Sequence, residues 1–270
     1  MHWKTALPMY NVSPRLTQGY ETLLAELIEQ VGVHATLEQP GTLIDFWRQP
    51  DLLVSQTCGH PYVTQLRGQV QLLATPAYDF PGCDHCDYSS VIVTRTGSGI
   101  AGLAQARGRV AAINDAHSNS GMNALRHAVA PFSNGAEFFR DVKWSGSHAA
   151  SLALVAAGVA DIAAIDCVTY GYIALEYPER LRDISVLDYS ATAPGLPFIA
   201  GGQVPLVLVE RLRQALLWPG ARLRTAMDAL RIESFDYLDD AAYDCINVMA
   251  AVPARTMVTG PSATASPVVT

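Results

Sequence analysis

The sequence predicts an α/β protein in two lobes, with mixed and mostly parallel sheets. Between residues 109 and 165, short apolar runs alternate with helical stretches, a pattern that builds parallel strands covered by helices. Several of these strands run straight into helix starts rich in hydroxyl and amide side chains. The chain is 270 residues long, which is long for one compact core and suits two.

In order, Lys4 to Leu7 reads as a first strand, closed by Pro8-Met9-Tyr10. Ser13-Pro14 is a helix start, a cap followed by proline at the first helical position. Leu16, Tyr20, Leu23, Leu24, Leu27, Ile28 and Val31 then recur at helical spacing, and Gly32 ends the helix. Ala35 to Leu37 and Leu52 to Ser55 are strands on either side of a short helix, Leu43 to Trp47. Gln56-Thr57-Cys58-Gly59 turns into a helix over His60 to Leu66, and Val70 to Thr75 is the next strand. The Pro- and Gly-rich segment Pro76 to Cys86 reads as a loop. Tyr88 to Thr94 has strand composition, rich in β-branched residues. After the alternating region come a strand at Ile184 to Leu187 and a rigid turn at Ala193 to Phe198. Two late helices, Val204 to Leu217 and Ala221 to Leu230, complete the pattern. From about Pro253 the chain is Pro, Ser, Thr and Ala and reads as a frayed tail.

The most informative stretch is Arg109 to Val129. A strand, Val110 to Ile113, meets the breakers Asn114 and Asp115, and a helix begins near Met122. Ser118, Asn119, Ser120 and Gly121 lie between them. A helix start exposes unpaired N–H groups and the positive end of the helix dipole, so it attracts anions. The same residues also suit an ordinary N-cap. A second hydroxyl-rich start, Ser145-Gly146-Ser147-His148, precedes a helix that Gly158 ends, and a strand from Asp161 to Ile165 follows. The two starts converge if their strands are parallel neighbours.

Composition bounds the partners. Half the residues are hydrophobic and 16% are charged, enough for a sizeable core. The net charge of -7 argues against nucleic acid or an anionic membrane surface as partner. No apolar run reaches the length of a membrane span, so no membrane insertion is expected. The N-terminus has no signal-peptide pattern, which gives a cytoplasmic protein as the sequence stands and a periplasmic one if a leader was removed. Five cysteines form no small-disulfide pattern. Cys83-Asp84-His85-Cys86 has metal or redox spacing, but no second such pair accompanies it, so loop cysteines with no metal and no cofactor are expected.

QTCG at 56–59, YSSVIV at 88–93, AINDAHSNSG at 112–121, SGSHAAS at 145–151, ADIAAIDC at 160–167 and PGLPF at 194–198 recur here in a telling order and spacing. Together they resemble the phosphonate, phosphate and phosphite-binding proteins of ABC importers. The resemblance implies the type II periplasmic-binding-protein fold, with two lobes joined by crossovers near Tyr88–Val93 and Leu187–Thr192. Lobe one is then 1–90 with 188–270, and lobe two is 91–187. It further implies a small oxyanion ligand clamped by hinge closure, and an ABC permease as partner. Ser118, Asn119, Ser120 and Gly121 correspond to the turn that holds phosphonate oxygens in the family. His148 corresponds to the histidine of the second helix start, Tyr88 to the tyrosine before the first crossover, and Asp166 to the polar residue after the following strand. Where aminophosphonate binders carry an acidic residue in the Pro-Gly-x-Pro turn, this chain has Leu196.

Thr57, Tyr10 and Tyr62 join the ligand-binding candidates as hydroxyl carriers near strand ends. A buried tyrosine with its hydroxyl satisfied in a core is the alternative for Tyr10 and Tyr62, and a buried, satisfied carboxylate is the alternative for Asp166. If His148 is charged in the complex, affinity falls as pH rises above roughly 6.5. Catalysis is not expected, because the sequence has neither a G-x-S-x-G elbow nor a G-x-x-x-x-G-K-[S/T] phosphate loop. The rival reading is a cytoplasmic ligand sensor or small-metabolite enzyme on the same scaffold.

Overall fold

A computed structural model describes residues 2–133, 137–253 and 257. The chain opens with β1 (Trp3–Ala6), α1 (Pro14–Val31), β2 (Ala35–Leu37), α2 (Leu43–Trp47) and β3 (Leu52–Gln56). Helix α1 forms as its ends dictate. Ser13 stays extended and its Oγ accepts from the Leu16 N–H at 3.2 Å, while Gly32 closes the helix at φ 67°. Its buried stripe of Leu16, Tyr20, Leu23, Leu24, Leu27 and Val31 is the apolar periodicity of the sequence. There follow α3 (Gly59–Pro61), which continues as a π-helical turn over Tyr62–Leu66, then β4 (Val70–Tyr78), β5 (Cys83–Asp84) and β6 (Asp87–Tyr88).

The alternating region holds β7 (Ser90–Arg95), β8 (Val110–Ile113), a π-helical turn (Asn119–Asn123) running into α4 (Ala124–Ser133), β9 (Asp141–Trp144) and α5 (His148–Ala156). It continues with β10 (Ile162–Asp166), α6 (Cys167–Glu176) and β11 (Ile184–Tyr189). The last elements are β12 (Ala193–Pro194), β13 (Phe198–Gly201), α7 (Leu206–Leu217), α8 (Ala221–Ala229), β14 (Ile232–Asp236) and α9 (Asp244–Ala250).

The chain divides into two compact units. One runs to Tyr88 and resumes from Thr192 to Asn247; the other comprises Ser89–Ala191 and the chain from Val248 onward. The chain therefore passes between units three times, and the third passage falls inside α9. Assignment of the whole of 188–270 to the first lobe differs from this division. The residue that shows why is Met257, which is 4% exposed, lies in the second unit's core with Leu125, Phe138 and Phe139, and accepts from the Phe139 N–H at 3.1 Å. Thus the frayed tail expected from Pro253 is packed at Met257. The remaining tail, 254–256 and 258–270, lies outside the described residues.

The first unit carries a mixed sheet in the order β14-β4-β13-β3-β1-β2, with β1 parallel to both β2 and β3. Strand β4 corrects the expected loop at Pro76. It pairs with β13 up to Ala74 and with β14 from Thr75 to Tyr78, so Pro76 sits where β13 has already left and no ladder donor is needed on that side. The second unit's sheet has the order β11-β7-β10-β8-β9. There β8 is parallel to β9 and β10, while β7 is antiparallel to β10 and β11. Parallel pairing is thus confined to the strands that helices separate, and it is a smaller share of both sheets than the alternation suggested.

Candidate functional site

Strands β8 and β9 are parallel neighbours with Ile113 opposite Trp144, so both end on the same edge of the second unit's sheet. Each is followed by a hydroxyl-capped helix start. At the first, Ser118 is extended and its Oγ accepts from the Gly121 N–H at 2.9 Å. At the second, Ser147 is extended and its Oγ accepts from the Ala150 N–H at 3.1 Å. Each cap satisfies one N–H of its helix, and the first two positions of either helix have no intrahelical acceptor.

The turn between β9 and α5 is held against the end of β8. Ser145 N–H donates to the Ile113 carbonyl at 2.9 Å and Gly146 N–H to the Asn114 carbonyl at 3.0 Å. Gly146 takes φ 83°, a conformation that side chains resist. Ser145 Oγ also lies 2.7 Å from Ser151 Oγ, with the Ser147 and Ile113 carbonyls at 3.0 and 3.2 Å as alternative acceptors of its one proton. This geometry brings His148, the first residue of α5, to the other helix start. Its Nε2 is 3.0 Å from Ser120 Oγ and 3.5 Å from Asn114 Nδ2, and Ser120 Oγ is in turn 3.4 Å from Ser118 Oγ.

The first start is also a π-helical turn. Asn123 N–H reaches back five residues to the Ser118 carbonyl at 3.2 Å, and Met122 N–H meets the same carbonyl at 3.3 Å. The wider turn splays the first residues, and such π turns concentrate at functional sites. Ser118, Asn119, Ser120 and Gly121 are all buried. Asn114 was not singled out by sequence reasoning. The signal was there, since it is the first polar residue after β8.

Desolvation pushes the His148 imidazole down to about 4, opposed by the Ala164 backbone, and its Nδ1 is enclosed without a hydrogen-bond partner among the described residues. The ring is therefore neutral at neutral pH in the ligand-free protein. The fall of affinity above pH 6.5 expected for a charged His148 in the complex therefore requires the bound anion to raise the ring's pKa from about 4. The shift also makes a stability prediction. The folded value lies below the ordinary 6.5, so the unfolded chain binds the extra proton between pH 6.5 and 4. Stability from this group is full above pH 6.5 and is lost as pH falls towards 4, by on the order of 1–3 kcal/mol. Urea titrations at pH 7 and pH 4.5 should show that loss reduced in His148→Gln; an equal loss in both proteins would refute it.

The other sequence candidates fall elsewhere. Asp166, at the end of β10, caps α6: its Oδ1 accepts from Val168 and Thr169 N–H groups at 2.9 and 3.0 Å. Of the two roles open to it, the satisfied buried carboxylate is the one observed, and its charge closes the α6 start to anions. Thr57, Tyr10, Tyr62 and Tyr88 belong to the first unit. Thr57 is fully buried at the end of β3, where its Oγ1 donates to the Cys58 carbonyl at 3.2 Å. Tyr88 lies buried in β6, paired with Cys83 and Ala193. Tyr10 packs against Tyr20 and Tyr78, with ring centroids 6.3 and 5.5 Å away.

Tyr62 corrects the expectation most clearly. It is 2% exposed, its hydroxyl donates to Asp240, and its ring meets Tyr243 edge-on at 5.2 Å. It is a core tyrosine with its hydroxyl committed, and burial together with Asp240 raises its pKa. The cysteine pair is likewise structural. Cys83–Asp84 and Asp87–Tyr88 form a small hairpin, and the buried Cys86 Sγ donates to the Thr75 carbonyl at 3.0 Å. Burial and nearby Asp236 push its thiol up to about 12, far from a reactive thiolate. Among the described residues no group of His, Cys, Asp and Glu is arranged to hold a metal, and no helix is long and apolar enough to cross a membrane.

Comparison with known proteins places the chain and its fold. The family of periplasmic substrate-binding proteins of phosphonate ABC transporters matches residues 5–243. Among solved structures, the PhnD1 protein of Prochlorococcus marinus in complex with methylphosphonate is 18% identical, with TM-score 0.76 over 92% of this chain and 96% of that one. A binding protein component of a Pseudomonas aeruginosa ABC phosphonate transporter is also 18% identical, with TM-score 0.76 over 92% of this chain and 85% of its own. The Xanthomonas citri protein XAC2383 bound to ATP matches at 18% identity and TM-score 0.69, over 93% of this chain and 96% of its own. No curated protein sequence matches significantly. The structural likenesses give the two-lobed type II fold of periplasmic binding proteins. With the family matched over most of its length, this chain belongs to the phosphonate periplasmic substrate-binding proteins of ABC transporters, a family of solute-binding and not catalytic proteins that normally work in the periplasm.

Proposed function

We propose that this chain is the solute-binding component of an ABC importer, delivering its ligand to a permease, and that it holds the phosphoryl end of a small phosphonate, phosphate or phosphite at the paired helix starts of residues 118–121 and 147–149. One observation carries the reading: the 3.0 Å approach of Ser120 Oγ to His148 Nε2, which sets two helix N-termini against each other. Two positive dipole ends and several hydroxyl and amide donors suit an oxyanion, and no carboxylate caps either start. The relatives point the same way, since PhnD1 is described with methylphosphonate and XAC2383 with ATP or chloride, all of them anions.

The non-phosphoryl half of the ligand is read as small and uncharged. In the Pro-Gly-x-Pro turn, where the resemblance to aminophosphonate binders would call for an acidic residue, this chain has Leu196 and so no carboxylate for a ligand amine. Catalysis is not part of the reading. Among the described residues no acid orients the Ser120–His148 pair: the Asp166 carboxylate caps α6, and His148 Nδ1 has no hydrogen-bond partner.

A thermal-shift and calorimetry panel tests this with methylphosphonate, phosphate, phosphite, sulfate and 2-aminoethylphosphonate. At 100 times its dissociation constant, a specific ligand stabilises by about 2.7 kcal/mol. Methylphosphonate, phosphate or phosphite should give that shift, and 2-aminoethylphosphonate should bind no better than methylphosphonate. Absence of any shift across the panel would remove the reading.

A further inference from the structure

We infer that Arg126 is the buried positive charge of the anion site, held behind the 118–121 turn by the last carbonyl of α9, and that it grades ligands by their charge. The inference rests on the binding reading above and names a residue that the site's hydroxyls and dipoles do not include.

Arg126 is the third residue of α4 and is only 8% exposed. Its Nη2 donates to Asn123 Oδ1 at 2.9 Å and to the Ala250 carbonyl at 2.8 Å. Asn123 Nδ2 is in turn 3.5 Å from Asn119 Oδ1, inside the candidate turn. The guanidinium Nε is buried without a hydrogen-bond partner among the described residues. No carboxylate lies within salt-bridge distance of Arg126 among those residues, whereas Arg213 and Arg231 each meet one and Arg67 and Arg222 each meet two. Lys143, on neighbouring β9, is paired with Asp141 at 2.7 Å.

A buried cation with no counter-charge is expensive to keep. Desolvation pulls the Arg126 pKa down, the direction expected of a cation with no anion beside it. In a chain of net charge -7, many carboxylates were available to neutralise it. A site that receives an anion reversibly explains the cost: the missing counter-charge is the ligand. The direction is right as well. Helical side chains lean towards the N-terminus, and Arg126 bonds three residues back, towards Ser120. Six residues of helix rise about 9 Å, near enough for an unscreened charge to act through protein.

The role of α9 follows from the same contacts. Its carbonyls at the C-terminal end have no intrahelical partner, and Ala250 offers one of them to Arg126. That bond fixes the guanidinium behind the turn, so the chain after Asn247 contributes to the site without touching the ligand.

The test compares two probes at pH 9: methylphosphonate as a dianion, and its monomethyl ester, a monoanion. Calorimetry on wild type, Arg126→Met and Arg126→Lys is read together with each protein's melting temperature. Arg126→Met should bind the monoanion about tenfold and the dianion about a hundredfold more weakly than wild type, roughly tenfold per ligand charge. Arg126→Lys should keep affinity within about threefold even with a lower melting temperature. In Arg126→Met, equal losses for both probes, or unchanged affinity with a lower melting temperature, would reduce Arg126 to a structural latch and overturn the inference. Should Arg126→Met fail to fold, Arg126→Gln decides by the same comparison: a greater loss for the dianion than for the monoanion supports the inference, and equal or no losses overturn it. Wild-type protein that binds neither probe removes the binding reading and this inference with it, an outcome distinct from wild-type binding that the variants leave unchanged.

Discussion

Ser120→Asp abolishes the stabilisation that methylphosphonate or phosphate gives to the wild-type protein. The new carboxylate takes the place where the two helix starts meet, within reach of His148 Nε2, from which Ser120 Oγ is now 3.0 Å. It supplies in the chain the negative charge that the ligand otherwise brings. Repulsion between two like charges about 4 Å apart is worth about 4 kcal/mol at a protein-like dielectric, close to a thousandfold in affinity. The fold should tolerate the change, because the dipoles and donors that attract an anion also accept a carboxylate. His148 should respond: a neighbouring carboxylate raises its pKa from about 4. Ser120→Ala is the milder control, losing a hydrogen bond to a charged acceptor worth about 1.5–3 kcal/mol. The measurements are calorimetric affinity and the pH titration of the His148 ring by NMR. Ser120→Asp protein that binds the anion as wild type does would place the ligand elsewhere.

Gly121→Ala should damage both the fold of the second unit and its affinity. A Cβ at Gly121 would stand 1.7 Å from Asn114 Oδ1 and 2.7 Å from Asn114 Cγ, so the asparagine has to leave. Its departure disturbs three things at once. The Asn114 side chain approaches His148, its carbonyl accepts from Gly146, and Gly121 N–H is the group that Ser118 caps. Overpacking of this kind costs about 1–3 kcal/mol, and the melting temperature should fall by several degrees. Affinity should drop at least tenfold, since the Ser120 to His148 approach depends on the same turn. Gly102→Ala is the control. Gly102 has extended backbone at φ -170°, and a methyl group added there would meet nothing within 4 Å, so neither property should change. A Gly121→Ala protein with wild-type melting and affinity would show that the turn adjusts at no cost.

The candidate site was partly legible because its parts are local. Ser118, Ser147 and Ser13 cap helices through bonds to residues three positions ahead, a relation written in neighbouring letters. The condition set by the sequence, that two helix starts converge if their strands are parallel neighbours, is met through the pairing of Ile113 with Trp144. Asp166 was harder to place, since a carboxylate after a strand serves a ligand or caps a helix with the same letters. Its bonds to Val168 and Thr169 N–H groups distinguish the two. The tyrosines show the same limit: Tyr62 carries a hydroxyl near a strand end, and only the arrival of Asp240, far along the chain, shows that the hydroxyl is taken.

By itself the sequence determined the amphipathic α1, the hydroxyl-capped starts, the alternating α/β pattern and the family, because caps and periodicities act over a few residues. The tertiary structure alone decided where long-range partners fall. It put Met257 into the second unit's core, ran β4 through Pro76, left His148 neutral by desolvating its ring, and set the last carbonyl of α9 against Arg126. The physical reason is common to all four. Burial and the pairing of distant groups depend on which surfaces meet when the chain closes on itself, and no short window of sequence holds both members of such a pair.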